Sequence, residues 1–156
     1  MKTFNDAAGR TWTVSINIGT VMRVKDELDL DLLQPESGET PVLTRLGTDE
    51  ILLARTIATI LEKQFETHEV DEGDIYTAFD GETLLAAQTA FYEELIVFFQ
   101  KSGRTERATA VRKQQALIAA GVRVAEEEIN ALDVEETIRG AFSGELPVPS
   151  ASTLEN

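Results

Sequence analysis

The chain has 156 residues, enough for one domain to bury a real core. Its apolar share of 42% and charged share of 27% belong to a globular protein rather than a disordered one. Acidic side chains outnumber basic ones 28 to 14, a formal net charge of −14, which repels nucleic-acid phosphate and anionic lipid alike.

Cysteine is absent, which excludes disulfides and thiolate metal sites. The opening MKTFNDAAGR lacks the apolar segment of a secretory leader. No run approaches the roughly 18 apolar residues of a membrane span. These totals read as a soluble cytoplasmic protein with no nucleic-acid and no membrane partner.

FNDAAGRTWTVSIN at residues 4–17 predicts a β-hairpin within residues 1–17. A first strand lies around Lys2 to Phe4 and a turn runs from Asn5 to Gly9. In the second strand Trp12, Val14 and Ile16 alternate with Thr11, Thr13 and Ser15. A lone hairpin is marginal in water, so its apolar face needs cover. Ile18 and Val21 of the next helix, with Phe91 and Phe98 further on, are the expected cover, and the exposed strand edge is expected to meet another copy.

Asn17 can cap a helix with Ile18, Val21, Val24 and Leu28 on one face. DLDLLQPESGETP reads as a loop, and a brief helix over Val42 to Leu46 is expected to stop at Gly47. Thr48 is expected to cap a helix in which Ile51, Leu52, Leu53, Ile57, Ile60, Leu61 and Phe65 leave little polar circumference. Such a helix is normally buried, and it is the expected central core helix. Asp71 opens a short helix with Ile75 and Phe79, and Asp80 opens the next. That one carries Leu84, Phe91, Leu95 and Phe98 as a stripe, with Leu85, Tyr92 and Phe99 beside it, and ends at Lys101–Gly103.

A long helix follows from about Thr105 to Leu132. Ala108, Val111, Gln115, Ile118, Val122, Ala125, Ile129 and Leu132 repeat at alternating spacings of three and four, a heptad-like seam. The seam serves either the chain's own core or an interface. Gly121 is expected to kink or break it, at a cost of roughly 1 kcal/mol. Asp133 and Glu136 resemble a capping box for a last helix ending near Phe142. The predicted organisation is thus mainly α with a short N-terminal β-hairpin: a single helical domain over 1–142, with a bundle and a long C-terminal helix, then a disordered tail over 143–156.

Catalytic and metal motifs are missing. His68 is the sole histidine, with no Gly-x-Ser-x-Gly elbow, no second zincin histidine and no Glu three residues before it. It reads as a surface residue near a helix end. Asp71-Glu-Gly-Asp74 lacks the order of an EF-hand loop. No enzyme, cofactor or metal is expected.

The charge pattern is more informative. No Lys or Arg lies between Gln64 and Gln100, a stretch holding Glu66, Glu69, Asp71, Glu72 and Asp74. Lys101, Arg104, Arg107, Arg112 and Lys113 follow directly. Either these are two solvated faces, or the basic segment meets the acidic region of another copy and makes a homo-oligomer.

Phe4, Asp6, Gly9, Arg10, Trp12, Val14, Ile16, Asn17, Val21, Arg23, Val24 and Lys25 form a pattern. It resembles the start of a family of small acidic proteins from tailed phages and prophages, the tail assembly chaperones. DEILLARTIATIL resembles that family's second main helix, and VDEGDIYTAFDGETLLAAQTAFYEELIVFF its acidic helix and the helix after it. The likeness spans roughly residues 1–115, with the loop QPESGETPVLTRLG departing from it. The resemblance implies a non-enzymatic oligomer in the bacterial host's cytoplasm. It would escort the long helical tape measure protein while tail tube protein polymerises around it, and a frameshifted longer form would recruit the tube protein. The alternative is an acidic DNA-mimicking inhibitor of a DNA-binding protein, which the net charge favours and the basic segment disfavours. A third reading is a small acidic enzyme with an unrecognised site.

Overall fold

The computed structural model describes residues 1–132 and residue 138. It is mainly helical with an N-terminal antiparallel hairpin, and its packing divides the chain into two compact units, Met1–Ile118 and Ala119–Asn156. The last helix and tail expected over 133–156 lie outside the described residues, Ile138 excepted.

In the first unit β1 (Lys2–Asn5) pairs with β2 (Thr11–Val14), Phe4 facing Trp12 and Lys2 facing Val14. Asp6 holds the turn. Its Oδ1 accepts from the amides of Ala8 and Arg10, both at 2.9 Å. Its Oδ2 accepts from Arg10 Nε and Trp12 Nε1, both at 2.8 Å. Gly9 completes the turn at φ +84°, a conformation open to glycine at little cost.

The hairpin face is covered within the chain: Phe4, Trp12 and Val14 are all buried. Burying a tryptophan removes on the order of 200 Å² from water, worth about 5 kcal/mol. As expected, the helix carrying Phe91 packs on the hairpin, but Ile18 is not part of the cover. Ile18 is 54% exposed, whereas the Trp12 ring meets Phe65 edge-on at 6.0 Å and His68 at 4.3 Å. Phe4 meets Phe79 edge-on at 5.8 Å. His68 is therefore half-buried against the core rather than a free surface residue. The strand edge is not open at Thr13, because the Gln64 amide acts as a surrogate strand. Thr13 N donates to Gln64 Oε1 at 3.0 Å, and Gln64 Nε2 donates to Thr13 O at 2.8 Å.

Helix α1 (Ile18–Leu28) starts on a reciprocal Asn17–Thr20 capping box and buries Val21 and Val24. The loop that follows anchors itself with Leu30 and Leu32, both fully buried. Helix α2 (Val42–Thr48) contains Gly47 instead of stopping there. A Cβ at Gly47 would meet only the end of the flexible Gln114 side chain, which can swing aside. Asp49, not Thr48, caps α3 (Glu50–Leu61), accepting from Leu52 N at 3.0 Å; the Thr48 hydroxyl turns back to Thr44 O.

As expected, α3 is central, packing on α1, α2, β2, α5 (Glu72–Thr77) and α6 (Gly81–Lys101). It is buried along Leu53, Ile57, Ile60 and Leu61, while Ile51 stays exposed. Arg23 closes its C-terminal end, donating to Thr59 O and Ile60 O at 3.0–3.3 Å. A 3-10 turn (Glu62–Gln64) and the one-turn α4 (Phe65–His68) then bring Gln64, Phe65 and His68 to the hairpin. Asp71 and Asp80 cap α5 and α6, and α6 packs along β1 and buries Phe91, Tyr92, Leu95 and Phe99.

Helix α7 (Thr105–Ala131) is continuous through Gly121, with no break there. In its first-unit part Ala108 and Val111 are buried and Ile118 is half-buried. In the second unit Ala120 is half-buried and the described positions from Gly121 on are exposed.

Candidate protein-binding surface

The five basic residues gather where α6 ends and α7 begins. Lys101, Arg104, Arg112 and Lys113 are exposed and Arg107 is half-buried. Gly103, at φ +76°, makes the turn between the two helices. Arg104 pairs with Glu106 at 3.8 Å. Arg107 lines a cleft of about 370 Å³ together with Pro35, Glu36 and Glu106.

The acidic residues are spread over α4 and α5 and are all exposed. They are not equally available. Asp71 and Asp74 form the capping box of α5, accepting each other's amides at 2.8 and 3.0 Å. Glu72 Oε1 accepts from the Tyr76 hydroxyl at 3.0 Å. Glu66 and Glu69 make no such bond among the described residues. No ion pair among the described residues joins the acidic set to the basic one.

A cleft of about 210 Å³ between α1, α3 and α5 brings together polar side chains from separate elements: Glu27, Arg55, Glu62, Glu72 and Tyr76. Burial and the neighbouring Glu62 carboxylate push the Glu27 carboxyl above its usual range. Burial and the Glu72 bond push Tyr76 up to about 12. Arg23 adds positive charge beside Glu62 at 3.6 Å. Arg23–Glu62 is the ion pair in this cluster among the described residues, and Glu27 and Glu62, 35 residues apart, share no local pattern.

Among the described residues, two exposed apolar surfaces bear on binding. One is a groove of about 360 Å³ with Ile51, Ala54, Phe79 and Leu84, edged by Glu50. The other is the second-unit half of α7, where Val122 is 52%, Ile129 65% and Leu132 62% exposed. The heptad spacing flagged this helix in advance. It held no sign that Ala108 and Val111 are buried while Val122, Ile129 and Leu132 are exposed.

Among the described residues no group of three or more His, Asp or Glu side chains is placed to hold a metal ion, and no helix is long and apolar enough to cross a membrane. The chain matches no protein-family model, no curated protein and no solved structure.

Proposed function

We propose that the protein is a tail assembly chaperone of a long-tailed phage or prophage, binding its tape measure protein as an oligomer while the tail tube protein assembles. The observation that carries the reading is an apolar helix face left exposed on a strongly acidic chain. That combination suits a protein that shields a partner's apolar stripes while keeping the complex dispersed. The resemblance of the Phe4-to-Lys25 pattern supplies the identity of the partner.

In the oligomer the exposed basic segment Lys101–Lys113 meets Glu66 and Glu69 of another copy. Neither set is neutralised by the other within the chain. A DNA mimic would call for carboxylate rows alone and gives no role to the apolar face of α7.

The test is co-expression with a long coiled-coil tape measure protein, scored by how much of it stays in the supernatant and co-purifies. Solubilisation of the tape measure protein, and not of a DNA-binding enzyme, is the expected result. A tape measure protein equally insoluble with and without this chain refutes the reading. For the oligomer, replacing Arg104, Arg107 and Arg112 by Glu should lower the sedimentation coefficient, and an unchanged value refutes the charge-pairing contact.

A further inference from the structure

We infer that the stripe Val122, Ala125 and Ile129 on α7, with Leu132 just past its end, is a docking face for a basic amphipathic helix of another protein. The inference deepens the chaperone reading, on which it rests for the origin of that helix. It adds the face that binds and the charge that the partner must carry.

The stripe has the geometry of a coiled-coil seam. Val122 and Ile129 fall at the first position of a heptad, and Ala125 and Leu132 at the fourth. β-Branched residues at the first position with Leu at the fourth favour pairing with one further helix. Gly121 borders the stripe, and a Cβ there would meet nothing within 4 Å. The packing of the described residues therefore gives no reason for a glycine in mid-helix. Close approach of a second helix gives one.

Charge selects the occupant. Glu126 and Glu128 flank the stripe on its two sides, at the positions that set partner choice in helix pairs. A second copy laid stripe to stripe would set glutamates beside glutamates. The chain's own continuation has the same sign, with Asp133, Glu135 and Glu136 against Arg139. The basic start of α7 in another copy offers charge but no apolar ridge, since its Ala108 and Val111 are buried in its own unit. A foreign helix with Lys or Arg beside its apolar ridge satisfies both the seam and its flanks, and the net charge of −14 draws it in.

The experiment titrates the purified full chain into labelled three-heptad helical peptides with Ile and Leu at the core positions. One peptide carries Lys at every flanking position and the other carries Glu. The Lys peptide should bind at least about tenfold more tightly than the Glu peptide, with the difference shrinking as salt rises. Ile129→Asp, at an exposed position, should weaken the Lys peptide about tenfold and leave the melting curve unchanged. Glu126→Lys with Glu128→Lys should reverse the preference.

Equal binding of the two peptides overturns the inference, as does indifference to Ile129→Asp. A concentration-dependent dimer dissolved by Ile129→Asp would assign the stripe to a second copy. Binding that emerges only in a chain ending at Leu132 would assign it to the chain's own continuation. A chain that solubilises the tape measure protein but ignores the Lys peptide refutes this face and leaves the chaperone reading standing. The opposite result refutes the chaperone reading and keeps the face.

Discussion

Replacing Asp6 by Asn tests whether one buried carboxylate holds the hairpin to the body. The substitution keeps the shape and turns one acceptor oxygen into an NH2 group. With its remaining oxygen toward the amides of Ala8 and Arg10, the new donor faces Arg10 Nε and Trp12 Nε1, each 2.8 Å away. The Arg10 side chain is 24% exposed and can turn to water, but Trp12 is fully buried and cannot. Losing a hydrogen bond to a charged acceptor costs about 1.5–3 kcal/mol, and stranding the indole N–H adds about 1–3 kcal/mol, with some overlap. A total of about 3–4 kcal/mol lowers the melting temperature of a chain this size by roughly 10 °C.

The pH dependence has a definite sign. Burial opposes the Asp6 charge, but the bonds from Trp12 and Arg10 and the Arg10 guanidinium outweigh it and hold the carboxyl below its usual range. A folded-state pKa below the unfolded one contributes stability above about pH 4, and that stability is lost as pH falls through the folded value. Asp6→Asn should therefore show less acid destabilisation below about pH 4 than the parent. Circular dichroism melts at neutral and acid pH provide the assay, and Trp12→Phe completes a double-mutant cycle with an expected coupling of about 1–2 kcal/mol. Additive single effects, or an Asp6→Asn melt within about 2 °C of the parent at neutral pH, would refute the reasoning.

Leu32→Ala should cost about 2–5 kcal/mol in urea unfolding although it lies in a loop, because the side chain is fully buried; a loss below about 1 kcal/mol would refute the anchoring role. Tyr92→Phe should leave the melting temperature unchanged or raise it, since the buried hydroxyl has no partner among the described residues and burial already pushes its pKa up to about 12; a marked loss would show a partner at work. Gln64→Ala should speed hydrogen exchange at the Thr13 amide and cost about 1–2 kcal/mol, whereas unchanged exchange would mean that the edge is held by something else.

What the sequence revealed was mostly local. Asn17, Asp71 and Asp80 are legible caps because a cap bonds within three residues of itself. Thr48 and Asp49 are both cap-forming types, and only the backbone decides between them. Gly47 looks like a helix stop, yet α2 runs on through it to Thr48. Leu30 and Leu32 carry no period to announce their burial. Ile18 keeps the apolar spacing of α1 yet is exposed, and Phe65, which the spacing put in the central helix, lies beyond a 3-10 turn and meets Trp12 together with His68.

The candidate surface divides the same way. The charge clusters are visible in the letters, and so is the reciprocal spacing that commits Asp71 and Asp74 to a cap. The change of role along α7 is not visible, because one heptad pattern runs through both its covered and its uncovered parts.

The pairing of Thr13 with Gln64, 51 residues apart, has a consequence for biosynthesis. The hairpin leaves the ribosome before its cover, which arrives with Gln64, Phe65, His68 and finally α6. At ordinary elongation rates the roughly 80 residues from Trp12 to Phe91 take about 4–16 s to make. During that interval Trp12 and an unpaired strand edge are open to trigger-type holdases or to neighbouring nascent chains on the same message. Protease protection of chains stalled at successive lengths should therefore switch on after α6 emerges, and protection already present at residue 60 would rule the delay out.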